Sequence, residues 1–149
     1  MDMFCANCFA PKTQVTNSRG AKKHAAVWRR RHCTACGADF TTYEKPSVAE
    51  NKSVLTNNGT TTVFNLGKLI VSIAASFGHD KQKADYDTLW LAQTVEDTLS
   101  TQIRSISAED IAAITHQTLH AFDTLAAMQY AAKHQLINPS RKRRTSSRS

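Results

Sequence analysis

Four cysteines, and only four, are spaced along this chain as two C-x-x-C pairs, Cys5-Ala6-Asn7-Cys8 and Cys33-Thr34-Ala35-Cys36. Each pair can form a tight knuckle that aims two thiolates at one point. Two knuckles together give the tetrahedral four-sulfur arrangement that Zn²⁺ favours in structural sites. Gly37, directly after the second pair, suits the turn that closes that knuckle, because glycine takes positive φ without steric cost. Disulfides, a redox pair and a rubredoxin-like iron centre are the alternatives. Full coordination by sulfur leaves no open position and speaks against catalytic zinc. A segment this short cannot bury enough core to fold unaided, so the expectation is one structural Zn²⁺ per chain on Cys5, Cys8, Cys33 and Cys36, with metal binding coupled to folding.

The sequence between and after the knuckles predicts three strands. Thr13 to Arg19 is the first, Gly20 to Lys23 a turn, Ala25 to Arg31 the returning strand, and Phe40 to Tyr43 the third. That is the layout of a zinc ribbon. On a strand, Arg29 and Arg31 share one face and Arg30 takes the other. Arg19, Lys22, Lys23 and His24 add charge near the hairpin tip, and Trp28 either stacks on a base or caps the ribbon core. Guanidinium forks suit both phosphate and base edges, so Arg19, Lys22, Lys23, Trp28, Arg29, Arg30 and Arg31 form a candidate nucleic-acid surface. The plain alternative is a solubilising face.

Charge distribution supports the nucleic-acid reading. The formal net charge is +7, and it divides into +5 up to Lys45, −3 from Pro46 to Ser140 and +5 in the tail from Arg141. A basic balance favours an acidic partner. The tail, Arg141-Lys142-Arg143-Arg144 onward, is low in complexity and either adds sequence-independent phosphate attraction or only solubilises. Met1-Asp2-Met3-Phe4 lacks the features of a secretory signal, and no apolar run approaches the length of a membrane span. An intracellular protein with reduced thiols is expected, which again favours metal over disulfides.

Downstream of Pro46 the character changes. Residues 46–52 read as a polar connector. Ser53 to Thr56 and Thr60 to Phe64 flank Asn57-Asn58-Gly59, a strong hairpin signal. Asn65 is placed to cap a helix running to Phe77, with Leu66, Ile70, Ile73 and Phe77 on one face and Gly78 ending it. A second helix runs from about Thr88 to Thr101 with Leu89, Ala92, Val95 and Leu99 inward. Ser107 and Asp110 resemble a capping box that opens a third helix carrying Ile111, Ile114 or Thr115, Thr118, Leu119 and Phe122. Asp123 caps a fourth, through Leu125, Met128, Tyr130 and Leu136, stopped by Asn138-Pro139. Neither common phosphate-cradling glycine loop is present, and no nucleophile–base set stands out. Asp85, Asp87, Glu96 and Asp97 read as a solvated acidic face. His116 and His120 stand at i, i+4 without an evident third ligand.

These residues resemble the NrdR-type bacterial repressors of ribonucleotide reductase genes over nearly the whole length to about Leu136. In the ribbon the family pattern appears as Cys5…Cys8, Val15-Thr16-Asn17-Ser18-Arg19, Arg29-Arg30-Arg31 and Cys33…Cys36-Gly37-Ala38-Asp39-Phe40-Thr41-Thr42-Tyr43-Glu44. It departs at Asn17, usually Asp, and at Asp39, usually basic. The second domain resembles the family's ATP-cone, a regulatory nucleotide-binding module. Val54, Gly59, Phe64, Lys68 and Leu69 keep its pattern, while Thr56-Asn57 replace a Lys-Arg pair. The segment from Ala126 to Ala131 lacks the family's Tyr and Arg at their usual places.

The resemblance implies an α+β chain: a zinc ribbon at 1–45, a linker at 46–52, an ATP-cone-like domain of hairpin and helical bundle at 53–138, and a basic tail at 139–149. It implies a cytoplasmic, non-enzymatic repressor, nucleoid-associated when bound to double-stranded DNA. ATP or dATP would be held by Val54, Thr56, Asn57 and Lys68, and homo-oligomers would respond to it. Because lost cations remove charge-assisted bonds to triphosphate, one rival is a nucleic-acid binder whose helical domain only oligomerises. A zinc-dependent hydrolase and an RNA-binding ribbon are the others.

Overall fold

The computed structural model describes residues 3–20, 26–102 and 105–136. The fold is α+β and divides into two compact units. The first takes the described residues of Met1–Phe64 and Glu96–Ile106, the second those of Asn65–Val95 and Ser107–Ser149. Residues 22–24 and the basic tail lie outside the described residues, as does Asn138-Pro139.

In the first unit β1 (Gln14–Gly20), β2 (Val27–His32) and β3 (Asp39–Glu44) form an antiparallel sheet in the order β1-β2-β3. The central strand sets Trp28 opposite Arg19 and Tyr43, Arg30 opposite Asn17 and Thr41, and His32 opposite Gln14 and Asp39. A register shift between Val15 and Asn17 bulges Thr16 out of the edge strand. Every residue of β1 is exposed. Among the described residues of 3–45, Cys5 and Cys33 alone are buried.

The expected connector contains one helical turn, α1 (Val48–Asn51). The Ser47 hydroxyl accepts from the Glu50 N–H at 3.3 Å, and the turn buries Val48. The hairpin follows as β4 (Ser53–Leu55) and β5 (Thr61–Val63), Val54 opposite Thr62. Its loop closes by a bond from the Gly59 N–H to the Thr56 carbonyl at 3.0 Å, and Gly59 takes φ 81°. A short strand, β6 (Ile106–Ser107), joins the other side of β4 in the order β5-β4-β6. Two residues carry no readable periodicity, so no strand was expected there.

The second unit is helical. It holds α2 (Leu66–Ala74), α3 (Lys81–Tyr86), most of α4 (Thr88–Ser100), α5 (Ala108–Phe122) and α6 (Thr124–Lys133). The caps fall where local chemistry puts them. The Asn65 side chain accepts from the Lys68 N–H at 3.0 Å, and Asp123 from Ala126 at 3.0 Å. Ser107 and Asp110 close a reciprocal capping box, both bonds at 3.0 Å. An uncapped orphan N–H is costly, which is why these side chains fix the starts so firmly.

Several expectations need correction. Gly78 does not cap α2; the helix ends at Ala74 and tightens through bonds from Ser76 to Ile73 and Phe77 to Ala74. Its buried stripe is Leu69, Ile73 and then Phe77, with Leu66 and Ile70 only half-buried. In α4 Leu91 is buried in place of Leu89, which is exposed. In α6 Ala126, Ala127, Tyr130 and Ala131 face inward, while Leu125 and Met128 are exposed. That helix stops at Lys133, where Gln135 takes φ 55° and the Leu136 N–H reaches back to the Ala131 carbonyl at 2.9 Å. This is the six-to-one bond of a Schellman ending. Helix α3, capped by Asp80, buries no residue and so shows no apolar stripe in the sequence.

Candidate metal centre and arginine strand

The two knuckles repeat one backbone pattern. The Cys5 N–H donates to the Ala10 carbonyl at 2.9 Å and the Phe9 N–H to Cys5 at 3.1 Å. In the second knuckle Cys33 donates to Ala38 at 2.9 Å and Gly37 to Cys33 at 2.8 Å. Both turns need a left-handed residue just after the second cysteine. Gly37 supplies it at φ 73°, and Phe9, at φ 58°, does the same with a side chain that disfavours it.

The four sulfurs converge. Cys5 Sγ lies 3.7 Å from Cys36 Sγ and Cys8 Sγ 3.7 Å from Cys33 Sγ. All four lie within 4.8 Å of one another. A tetrahedron with Zn–S bonds of 2.3 Å has edges of about 3.8 Å, so the donor set fits Zn²⁺. Asn7 supports it: its N–H is 3.3 Å from Cys5 Sγ and its side-chain amide 3.6 Å from Cys36 Sγ. Packed this closely, the thiols perturb one another. Cys36 is drawn down to about 6, first by the Ala38 backbone N–H and then by the Asn7 amide and Cys8. For Cys8 the Ala10 backbone bond favours the thiolate, but the contact with Cys36, burial and the other two thiols outweigh it and push the group up to about 12. A dication held by the four sulfurs would resolve the conflict, since a coordinated thiol is deprotonated. Among the described residues no other group of three or more side chains could hold a metal. The His116 and His120 rings stand 6.2 Å apart.

Strand β2 runs into the second knuckle and carries the arginines along the centre of the sheet. Its two faces differ. On one, Arg29 Nη2 pairs with Glu44 at 2.9 Å, and Arg31 donates to Thr42 Oγ1 at 3.2 Å and to Thr13 Oγ1 at 3.3 Å. Both arginines are half-buried, and Arg29 Nε has no acceptor. On the other face Trp28 is half-buried, Arg30 is exposed and Arg19 sits across from Trp28. There Asp39 takes two partners: His32 Nδ1 at 2.8 Å on one oxygen, Arg30 Nη2 at 3.5 Å on the other. The His32 hydrogen bond and then Arg30 hold the Asp39 carboxyl below the usual carboxylate range. Nothing in the sequence alone assigns these contacts to Asn7, Thr13 or Glu44. Asp39 was readable, because it falls opposite His32 once the strands are registered from the cysteines.

Of the candidate nucleotide residues, Val54, Thr56 and Asn57 belong to the first unit and Lys68 to the second. Val54 is buried in the central strand of its sheet, while Asn57 and Lys68 are exposed. The Thr56 hydroxyl is tied into the turn, bonded to Asn58 Oδ1 and lying 2.7 Å from Thr60 Oγ1. Glu96 and Asp97, expected as a solvated face, instead grip Lys45 Nζ at 2.9 and 3.1 Å.

Residues 3–44 match the family described as transcriptional repressor NrdR-like, N-terminal domain. A transcriptional repressor NrdR of Parafrankia sp. (strain EAN1pec) is 34% identical over 131 residues, covering 87% of this chain and 68% of the relative. One of Burkholderia cenocepacia (strain HI2424) is 30% identical over 130 residues, covering 87% and 81%. The chain belongs to the NrdR family of transcriptional repressors. The four-sulfur cluster lies within the segment that matches the family's N-terminal zinc-ribbon domain, at the foot of a strand with three consecutive arginines, and its donor set suits Zn²⁺. No helix among the described residues is long and apolar enough to cross a membrane.

Proposed function

We propose that this chain represses ribonucleotide reductase genes by binding promoter DNA through the ribbon of 1–45 and responding to ATP or dATP through the ATP-cone-like domain of 53–138. The observation that carries it is the four-sulfur cluster beneath Arg29, Arg30 and Arg31, in a chain of the NrdR family. Cys5, Cys8, Cys33 and Cys36 would hold Zn²⁺, which cross-links the two knuckles and fixes the strand that carries the arginines. Four sulfur ligands leave no position for a reacting water, which favours a binding role over hydrolysis. Arg19, Lys22, Lys23 and the arginine run meet the duplex, with Trp28 beside them. The protein works in the bacterial cytoplasm, on the nucleoid when bound.

One ribbon covers little DNA, so paired half-sites in a homo-oligomer raise specificity. Nucleotide at Val54, Thr56, Asn57 and Lys68 can change repression only by binding one assembly state better than another. The experiment is a titration of the full chain with ATP and dATP, followed by light scattering and by gel shift on DNA upstream of the host's ribonucleotide reductase genes. Saturable binding with a change in mass and in DNA affinity is expected.

One observation favours a narrower reading, in which the helical domain only oligomerises. The Thr56 hydroxyl is already engaged within its own turn, and Asn57 beside it carries no charge for a triphosphate. Absence of saturable nucleotide binding, with DNA binding intact, would establish that reading.

A further inference from the structure

The two faces of β2 divide the arginine run by role. Arg29 and Arg31 are half-buried and spend donors on Glu44, Thr42 and Thr13 within the sheet. Arg30 stands on the opposite face, with its side chain 51% exposed, in line with Trp28 and with Asn17 and Thr41 on the flanking strands. On that same face is a carboxylate. Asp39 is 45% exposed and anchored by His32 at 2.8 Å through one oxygen. Its second oxygen is turned to Arg30 Nη2 at 3.5 Å. An ion pair this exposed adds little to stability, so fold maintenance does not account for a negative charge at the knuckle end of a face that carries Arg19 and Arg30.

The geometry suggests another role. A guanidinium has five N–H donors in a rigid fork, so one donor turned toward Asp39 leaves an edge free for a two-point contact. Held that way, Arg30 can read the O6 and N7 edge of guanine in the major groove. Released, it would swing to the nearest phosphate, a contact that carries no sequence information.

Resting on the DNA-binding reading above, we infer that Asp39 is a positioning residue for sequence selectivity: it holds Arg30 for base readout and lowers the ribbon's indiscriminate attraction to phosphate. The carboxylate repels the DNA backbone directly and also withholds Arg30 and His32 from it. Selectivity is gained at the expense of sequence-independent affinity.

The test uses the full zinc-loaded chain. Duplexes are selected from a randomised library with the wild-type protein, and affinities for an enriched and a scrambled duplex are measured over a range of salt. Asp39→Asn should bind the scrambled duplex several-fold more tightly. Its log affinity should fall with log salt by about one unit more steeply, as for one added phosphate contact. Its preference for the enriched duplex should drop about tenfold. In an Arg30→Ala background the same substitution should leave the preference unchanged. An unchanged preference in Asp39→Asn alone overturns the inference. So does a preference that still shifts without Arg30, which would mean that Asp39 reads a base itself. A parallel loss of both affinities and of bound zinc would make Asp39 merely structural. If the wild-type chain enriches no duplex at all, it is the DNA-binding reading that fails. Enrichment followed by an indifferent Asp39→Asn defeats only the positioning role.

Discussion

The ribbon and the helical unit hold together by opposite means. Among the described residues of the ribbon, the buried side chains are Cys5 and Cys33, two of the four thiols. The helical unit buries Leu69, Ile73, Phe77, Leu91, Val95, Leu119 and Tyr130, and satisfies its buried Thr88 and Thr115 hydroxyls on carbonyls one turn back. In one region four sulfurs replace a core. In the other an ordinary apolar core is framed by caps. The first arrangement frees nearly the whole ribbon surface for charge, which a sheet with its own apolar core could not do.

The contrast can be broken most severely at the metal. Zinc contributes on the order of 10 kcal/mol in small structural sites. Chelation, or Cys33→Ser, should therefore unfold the ribbon and abolish DNA binding while the helical far-UV signal persists. A native-like NMR spectrum of the ribbon strands after chelation would contradict this. Next comes the helical core: Ile73→Ala or Leu119→Ala should cost about 2–5 kcal/mol, read by thermal melting, with one zinc per chain retained. Loss of zinc in either variant would show that the two regions are not independently held.

Asp123 sharpens the comparison at a smaller scale. Its backbone N–H ends α5 on the Leu119 carbonyl, while its carboxylate caps α6 and binds Lys83 Nζ at 2.6 Å, with His79 at 3.4 Å. Asp123→Ala should cost about 1–2 kcal/mol as a lost cap, against a smaller loss for Asp123→Asn, which keeps a capping oxygen. Lys83 first, then the Ala126 N–H and His79, hold its carboxyl below the usual range. Its contribution is therefore present above the unfolded value, about 4, and is lost as pH falls through that value toward the folded one. The stability gap between wild type and Asp123→Asn should be widest above that pH and shrink in acid. A gap independent of pH would mean that the ion pair contributes nothing. The smallest effect is expected at Lys52, whose ammonium meets the Leu99, Ser100 and Gln102 carbonyls at the end of α4. Lys52→Met should cost about 0.3–1 kcal/mol, more at low salt than at high.

What was legible in the sequence was local. The cysteine spacing specifies the centre because coordination needs only the right donors at knuckle spacing. Asn65, Ser107 with Asp110, and Asp123 mark helix starts because a cap is a contact over three residues. The choice of Leu91 over Leu89, and the exposure of Leu125 and Met128, were not legible. These helices carry apolar residues around much of their circumference, and packing rather than pattern decides which face turns inward. Lys45 with Glu96 and Asp97, and Lys52 with the end of α4, join positions about fifty residues apart. No local rule pairs them. Asp39 lies between these cases: it stands out as acidic within a basic run, but its partners emerge only from strand register.

The central claim is that zinc holds the arginine strand in a shape that reads DNA. Its most direct test is a salt-controlled titration of the full chain against duplex DNA from upstream of the host's ribonucleotide reductase genes, with an unrelated duplex and single-stranded RNA as competitors, before chelation, after it, and after zinc is restored. The account predicts saturable binding that prefers the promoter duplex, disappears on chelation and returns with zinc. Equal affinity for the unrelated duplex or the RNA, or a preference that survives chelation, would contradict it.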